Sequence, residues 1–211
     1  MLYDCSVLDE RERGITAAIE AVDRGDLVVM PTDTVYGIGA DAFKTWSVTA
    51  LNNAKGRTAS VPVLVGSRNT LDGLVLGLSP AARDLVDAFW PGALTVVLEH
   101  APSLQWELGG DGTVAVRMPL HPVALEVLPK TGPMAVTSAN KVGQPVPHTA
   151  EEAREQFGYA VSVYLSSPVE IEAPSSTIVE LIGDTVKAVR IGGVSLDQLR
   201  EVVPEIEAPE A

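Results

Sequence analysis

The chain has little cysteine, histidine and positive charge, and each shortage disfavours a class of function. Cys5 is the single cysteine and only three histidines occur, so a disulfide scaffold or a zinc site of the Cys/His type is not expected. Lysine and arginine number 15 against 28 acidic residues, a formal net charge of −13, which disfavours RNA or DNA binding along a broad basic face. A compact pocket with a few cations is still compatible with this composition, because the local field acts there.

Long apolar runs are also missing. No stretch of about 18 apolar residues occurs, so no membrane span is predicted. The first 14 residues are charged and contain no apolar segment, and we do not expect them to be a signal peptide. With 46% hydrophobic residues in 211, the composition is typical of one soluble domain, and the lone cysteine fits a cytoplasmic location.

Apolar periodicity predicts helices and strands mixed along the chain. Helices are predicted over 9–24, 45–54, 79–90, 121–128 and 150–157 and from 195 onward; strands are predicted over 26–30, 61–65, 93–99, 113–118, 133–140, 161–165, 176–181 and 185–190. Segment 31–42 is predicted to be a loop, and the last two strands a hairpin. This order predicts an α/β or α+β fold with a mixed parallel and antiparallel sheet.

Several familiar catalytic motifs are absent. The segment "GIGADA" has dinucleotide-loop spacing, but no helix clearly begins at Gly39, so we reject that interpretation. Neither a GK[ST] phosphate loop nor a GxSxG elbow occurs, and the histidines are isolated along the sequence.

Hydroxyl groups and cations instead gather where apolar strands begin or end, which is where α/β sheets usually bind ligands. Taken singly, each residue has a plain alternative: threonine and aspartate form turns, Lys55 and Arg57 suit a helix end, Arg117 could pair with a carboxylate, and "SAN" could be a cap. Thr113 and Arg117 lie four apart on one predicted strand and so share a face. The candidates are Thr32, Asp33, Thr34, Tyr36, Lys55, Arg57, Thr113, Arg117, Ser138, Asn140, Ser175, Ser176, Thr177 and Arg190.

Five ordered motifs carry a family resemblance: "MPTDTVYGIGADA", "AKGR", "TVAVRMPLHP", "TSANKVGQP" and "SSTIVEL…VRIGG". Together they resemble the Sua5/YrdC/TsaC family of L-threonylcarbamoyladenylate synthases, in its single-domain form. The resemblance implies one YrdC-like domain over 1–211, with a core over about 12–200 and an acidic tail over 204–211 that we expect to be frayed. It also implies a twisted α/β sheet, flanked by helices, with a deep, positively charged concave cavity.

The resemblance implies a reaction. Such enzymes join L-threonine, bicarbonate or CO2, and ATP, with Mg²⁺ carried on the phosphates, and release threonylcarbamoyl-AMP and pyrophosphate. Partner proteins then transfer the threonylcarbamoyl group to position 37 of tRNAs that read ANN codons, so the synthase meets tRNA only indirectly. No general base and no protein-bound metal are implied.

The resemblance also assigns roles to residues. Lys55, Arg57 and Arg190 would meet the phosphates of ATP, and Lys55 and Arg57 are the electrostatic candidates for catalysis. Thr113, Ser138 and Asn140 would contact the nucleotide. Thr34, Arg117 and Ser176 would hold L-threonine, since a guanidinium binds a carboxylate through two parallel hydrogen bonds.

The sequence departs from the family pattern at four places. Val61 replaces a polar residue, Gly66 a histidine, Val146 a serine, and 191–193 read Ile-Gly-Gly where the family has Pro-Gly. Two other functions remain open at this point. One is a factor of the same fold that binds double-stranded RNA or rRNA in ribosome maturation, and the other is a carbamoyl-transfer domain of the kind found in much larger hydrogenase-maturation proteins.

Overall fold

A computed structural model describes residues 1–57, 60–104, 106, 108 and 112–210. The helices within these residues are α1 (Leu8–Arg24), α2 (Thr45–Lys55), α3 (Pro80–Phe89), α4 (Pro122–Thr131), α5 (Ala150–Phe157) and α6 (Leu196–Val202). The strands are β1 (Leu2–Tyr3), β2 (Val28–Met30), β3 (Gly37–Asp41), β4 (Val63–Leu64), β5 (Leu94–Glu99), β6 (Thr113–Arg117), β7 (Met134–Ser138), β8 (Val163–Leu165), β9 (Thr177–Ile182) and β10 (Thr185–Arg190). Short 3-10 helices cover Arg68–Gly73 and Gly158–Ala160.

The described strands form one sheet in the order β1-β8-β2-β3-β7-β4-β6-β5-β9-β10. The pairs β1–β8, β2–β8, β4–β6 and β5–β9 are parallel, and the other neighbours are antiparallel. The predicted mixed sheet is therefore confirmed, as is the hairpin of β9 and β10, in which Thr185 pairs with Ile182.

Helices pack on both faces of this sheet. Successive strand residues point to opposite faces, and accordingly Val28 belongs to one core cluster and Val29 to the other. The cluster around Val28 contains buried residues of α1 and α4, such as Ile15 and Val127. The larger cluster on the opposite face contains buried residues of the other four helices: Leu51 (α2), Leu85 (α3), Ala153 (α5) and Leu199 (α6).

The prediction of a loop over the whole of 31–42 is wrong, because 37–41 form β3 between β2 and β7. The two glycines that suggested a loop are needed in the strand. A Cβ atom at Gly37 would lie 2.6 Å from Val136 Cγ1, and one at Gly39 would lie 2.9 Å from Val136 Cγ2. Glycine here permits close packing of β7 on β3. The rejection of a dinucleotide loop is confirmed.

The N-terminal caps of α5 and α6 differ. Ser195 and Gln198 form both reciprocal hydrogen bonds at the start of α6. At α5, Thr149 Oγ1 accepts a hydrogen bond from the Glu152 N–H, but the Glu152 carboxylate accepts from His148 N–H instead of Thr149 N–H. The capping box at α5 is therefore only half formed.

The prediction that the acidic tail is frayed is wrong at its centre. Ile206 is 1% exposed and belongs to the larger core cluster. Ala188 N–H donates to the Glu207 carbonyl oxygen at 2.9 Å, and Glu207 N–H donates to the Val186 carbonyl oxygen at 3.0 Å. The tail thus lies along β10, while residue 211 lies outside the described residues. That 1–211 forms a single domain stays a prediction.

Candidate functional site

A cavity of about 380 Å³ lies beside the core cluster of α1 and α4, with which it shares Leu64 and Val136. Its described lining residues are Thr32, Thr34, Val35, Gly37, Arg57, Ser60, Pro62, Leu64, Thr95, Arg117, Val136, Thr137, Ser138, Ser175, Ser176, Ile178 and Arg190. Three of these are arginines and none is acidic, in a chain whose net charge is −13. The cavity therefore favours an anionic ligand. That it is deep, as the resemblance implies, stays a prediction.

Arg117, at the end of β6, is held on three sides. Its Nε donates to the Gly92 carbonyl oxygen at 2.9 Å, its Nη1 to Thr34 Oγ1 at 2.7 Å, and its Nη2 to Asp33 Oδ1 at 2.5 Å. Asp33 Oδ1 also accepts from Leu120 N–H at 2.8 Å. Since a guanidinium has further N–H groups on both Nη atoms, the orientation is fixed while donors remain for a ligand.

The charge of Arg117 is partly compensated before any ligand binds. Arg117 is 6% exposed, and burial lowers the pKa of its guanidinium while the Asp33 carboxylate opposes that shift. The positive charge of Arg190 makes a further, smaller contribution that also lowers the pKa of Arg117. Among the described residues neither Arg190 nor Arg57 forms a salt bridge, and both line the cavity.

Ser176 and Arg190 form a second fixed group. Arg190 Nε and Nη2 donate to the Ser176 carbonyl oxygen at 3.1 and 2.8 Å, and Nη2 lies 3.3 Å from Ser176 Oγ. Ser176 Oγ is 2.8 Å from Thr95 Oγ1. Burial lowers the pKa of Arg190. Arg190 and Ser176 are thus aligned by direct contact, although 14 positions separate them in the chain.

The turn after β10 holds Arg190 in place. Thr177 Oγ1, which is fully buried, accepts from Gly192 N–H at 2.8 Å and Val194 N–H at 3.0 Å and donates to the Val194 carbonyl oxygen at 2.5 Å. Gly193 N–H donates to the Ser175 carbonyl oxygen at 2.9 Å. The "RIGG" departure is accordingly a packed turn in which both glycines contact neighbouring elements.

Lys55 has a different position from the cavity arginines. It ends α2, is 4% exposed, and its Nζ donates to the Ser138 carbonyl oxygen at 2.6 Å and to the Asn140 carbonyl oxygen. Burial, with a smaller contribution from Arg57, lowers the pKa of Lys55 to about 8. Asn140 Oδ1 accepts from Ser138 Oγ at 2.6 Å, and Asn140 Nδ2 donates to the Gln144 carbonyl oxygen at 2.9 Å. Lys55 and Asn140 thus brace the turn after β7.

The structure brings six of the nine predicted ligand-binding residues to the cavity wall: Thr34, Arg57, Arg117, Ser138, Ser176 and Arg190. Lys55, Thr113 and Asn140 are not among its described lining residues. Thr113 lies at the opposite end of β6 from Arg117 and pairs with Glu99. The ligand that each of the nine contacts stays a prediction.

Among the described polar residues that are buried in the cavity wall, Thr95 is the one that sequence reasoning missed. It is 3% exposed and sits inside "ALTVVLE", which was assigned only as a strand. Alternation along β5 was the available indication, because Leu94, Val96 and Leu98 all belong to the larger core and residue 95 must face the other way.

The departures at positions 61 and 66 have structural reasons. A Cβ atom at Gly66 would lie 2.5 Å from the backbone nitrogen of Pro129 in α4, so the close approach of that helix requires glycine. Val61 is 4% exposed in the larger core, and its N–H donates to the Leu108 carbonyl oxygen at 2.9 Å. Val146 is 40% exposed, and nothing in the structure explains its replacement of serine.

Two features are absent from the residues that the structure describes. These residues contain no helix that combines the length and the apolar character needed to cross a bilayer. They also contain no group of three or more His, Cys, Asp or Glu side chains placed to hold a metal ion.

Comparison with known proteins identifies relatives over nearly the whole chain. A profile of the Sua5/YciO/YrdC family, described as "Telomere recombination", matches residues 20–192. A Mycobacterium tuberculosis protein, provisionally named a threonylcarbamoyl-AMP synthase, is 53% identical over 204 residues, which are 95% of this chain and 94% of the relative.

Solved structures agree with this match. Pyrococcus abyssi Sua5, crystallised with L-threonine, superposes with a TM-score of 0.89 at 32% identity, over 99% of this chain and 62% of that one. The chain thus spans about three fifths of the Sua5 chain. Escherichia coli YciO shares the fold, with a TM-score of 0.76 at 21% identity over 89% of this chain and 93% of that one. By profile, identity and coverage, the chain belongs to the Sua5/YciO/YrdC family.

Proposed function

We propose that the protein is a threonylcarbamoyl-AMP synthase, a nucleotidyltransferase that joins L-threonine, bicarbonate or CO2, and ATP. The observation that carries this proposal is the cavity, whose described walls present three arginines and no carboxylate in a strongly acidic chain. ATP and bicarbonate are anionic, and L-threonine carries a carboxylate. The family membership and the name of the 53% identical relative support the same reaction.

The threonine half of the site would be the buried wall around Arg117. Thr34 is 1% exposed and Ser176 is 8% exposed, so their hydroxyls are shielded from bulk water. Arg117 is already oriented by Thr34 and Asp33, and its remaining N–H groups would hold the substrate carboxylate. Support comes from Pyrococcus abyssi Sua5, which was crystallised with L-threonine.

The nucleotide half would be the more exposed wall with Arg57 and Arg190. Both are cavity residues without a salt bridge in the described part of the chain, so both can offer N–H groups to phosphate oxygens. Ser138 lines the same wall. Lys55 would act mainly by bracing the turn of Ser138 and Asn140, because its ammonium already donates to both carbonyl oxygens.

The chemistry needs positioned charge more than acid–base side chains. The neutral threonine amine adds to CO2 with release of a proton, or to bicarbonate with release of water, and a carbamate forms. A carbamate oxygen then attacks the α-phosphorus, a new O–P bond forms, and the bond to the β-phosphate oxygen breaks to release pyrophosphate. Arg57 and Arg190 would stabilise charge on the phosphorus and on the leaving group, while Arg117 and Ser176 keep the amino acid in line.

Mg²⁺ would reach this site on the phosphates of ATP. No described lining residue is a carboxylate, and Asp33 behind the wall is engaged by Arg117 and Leu120, so these side chains do not form a metal cage. No step above depends on a protein-bound metal. A cytoplasmic location and downstream proteins that pass the threonylcarbamoyl group to tRNA are part of the same proposal.

The test is pyrophosphate release from ATP in Mg²⁺ buffer, with L-threonine and bicarbonate each omitted in turn. We expect release only when both are present, together with threonylcarbamoyl-AMP in the mass spectrum. Arg57→Ala should raise KM for ATP about ten- to hundredfold, since a charge-assisted hydrogen bond is lost. Arg83→Ala removes the same charge from exposed surface of α3 and should leave KM unchanged. Threonine-independent release would contradict the proposal.

RNA binding by the same fold is not supported. A protein with a net charge of −13 repels the negatively charged backbone of RNA. The three cavity arginines surround a space of about 380 Å³ rather than a long groove.

A further inference from the structure

Thr95 carries a buried hydroxyl group in the wall of the cavity. It lies on β5, is 3% exposed, and lines the cavity. Its Oγ1 atom is 2.8 Å from Ser176 Oγ, and this is its hydrogen bond within the described residues. The distance leaves open which of the two hydroxyls is the donor.

Ser176 Oγ also lies 3.3 Å from Arg190 Nη2. A guanidinium only donates, so this contact uses an acceptor lone pair of the serine and leaves its proton free. A hydroxyl has one proton and two lone pairs. If Ser176 donated its proton to Thr95, Ser176 would have no hydrogen-bond donor left for a substrate carboxylate.

We propose that Thr95 is a positioning residue that donates its proton to Ser176, which then gives its own proton to the carboxylate of the amino-acid substrate. This rests on the proposed function, because an anionic carboxylate only accepts hydrogen bonds. Ser176 then accepts from Thr95 and from Arg190 and has one direction left for its O–H. Thr95 suits this task because a β-branched side chain has few χ1 rotamers.

If Thr95 has this role, its substitution should weaken the binding of L-threonine and leave the binding of ATP unchanged. Thr95→Val keeps the branched shape and removes the hydroxyl, so the Ser176 O–H loses its fixed direction. We expect KM and Kd for L-threonine to rise about five- to tenfold, the usual effect of one lost neutral hydrogen bond, and KM for ATP to stay within about twofold. Thr95→Ser keeps the donor and should restore threonine binding.

A double-mutant cycle separates positioning from general packing. In a Ser176→Ala background the proposed acceptor is gone, so adding Thr95→Val should change the Kd for L-threonine no further. An equal loss in both backgrounds, or an equal loss for ATP, would show that Thr95 acts by packing or by direct contact and would overturn the proposal. Thermal unfolding of each variant checks that the native fraction is the same.

The readout is calorimetric titration with L-threonine alone, kept apart from the turnover assay. Wild-type protein that binds L-threonine but releases no pyrophosphate would refute the synthase, and the cycle would still decide the role of Thr95. Wild-type protein that does not bind L-threonine would overturn the positioning role together with the substrate assignment.

Discussion

Gly192 approaches Ser175 so closely that a Cβ atom at position 192 would lie 2.0 Å from the Ser175 carbonyl oxygen. The contact is backbone against backbone, so no side-chain rotation can relieve it. Thr177 fixes the same turn through the N–H groups of Gly192 and Val194. Position 192 must therefore be glycine for Arg190 to keep its contact with Ser176.

Gly192→Ala should both destabilise the protein and weaken ATP binding. Moving the turn outward should cost about 1–3 kcal/mol of unfolding free energy, the usual cost of overpacking, and should displace Arg190. Urea unfolding and KM for ATP measure the two effects. Gly77→Ala is the matched control, because a Cβ atom at that position would have no atom of the described residues within 4 Å. Equal stability of the two variants would contradict this account of the turn.

Asp33→Asn should destabilise the protein by about 1.5–3 kcal/mol, because the buried guanidinium of Arg117 loses its charged acceptor. The two side chains are only 16% and 7% exposed. The control is Asp87→Asn, whose carboxylate meets Arg68 at 3.4 Å with side chains 62% and 42% exposed. An exposed pair of that kind contributes at most about 1 kcal/mol. Urea unfolding of both variants at neutral pH gives the two free energies of unfolding. A larger loss of stability for Asp87→Asn than for Asp33→Asn would refute the prediction.

Lys55 should make stability rise with pH. Burial, and to a lesser extent Arg57, lowers its pKa from 10.5 to about 8. Between about pH 8 and pH 10.5 the unfolded chain therefore binds a proton on Lys55 that the folded protein does not, so the free energy of unfolding gains as pH rises through this window. Below about pH 8 the penalty for charging the buried amine is present in full.

Lys55→Met removes this titration and provides the comparison. We expect the stability of the wild type relative to Lys55→Met to be greater at about pH 9.5 than at about pH 7.5, by urea unfolding, since other titrating groups are common to both proteins. A difference that does not change with pH would show that Lys55 keeps an ordinary pKa when folded.

Cys5 should resist alkylation in the native protein. It is 4% exposed, and burial raises the pKa of its thiol from 9.0 to about 11, with Arg11 opposing the shift. The thiolate is the reactive form, so native labelling by iodoacetamide at about pH 8 should be roughly a hundredfold slower than in urea. Cys5 is the one cysteine, so the mass of a single adduct follows the reaction. Comparable rates in both conditions would contradict the buried position.

The local sequence pattern was sufficient to predict most of the long helices and strands. It was insufficient where contact with a residue far away in the sequence determines the structure. The stripe of α1 and the hairpin of β9 and β10 are local features and were predicted. The two-residue strand β1 was not predicted. It is defined by parallel pairing with Tyr164 and Leu165, which lie far from it in the sequence. In β3, glycine was a misleading indicator, since Gly37 and Gly39 serve the packing of Val136.

The site shows the same division. Motif resemblance assigned roles to Arg117 and Ser176, but it did not pair Arg117 with Asp33 or Ser176 with Thr95, because these contacts depend on distances across the sheet. The phosphate role of Lys55 stays a prediction, and the hydrogen bonds from its ammonium to the carbonyl oxygens of Ser138 and Asn140 could not be read from the sequence. Such contacts join residues more than 80 positions apart, and no sequence periodicity reports them.

The tail beside β10 has a consequence for the behaviour of the protein in concentrated solution. β10 is an outermost strand of the sheet, and such strands can recruit strands of other molecules and start aggregates. Glu207 already occupies the N–H of Ala188 and the carbonyl of Val186. Lys187 is paired with Glu210, and Glu205 and Glu207 add exposed negative charge. A strand of another molecule that approaches β10 therefore meets backbone groups that are already hydrogen-bonded and a negatively charged surface. This edge of the sheet should resist pairing with other sheets.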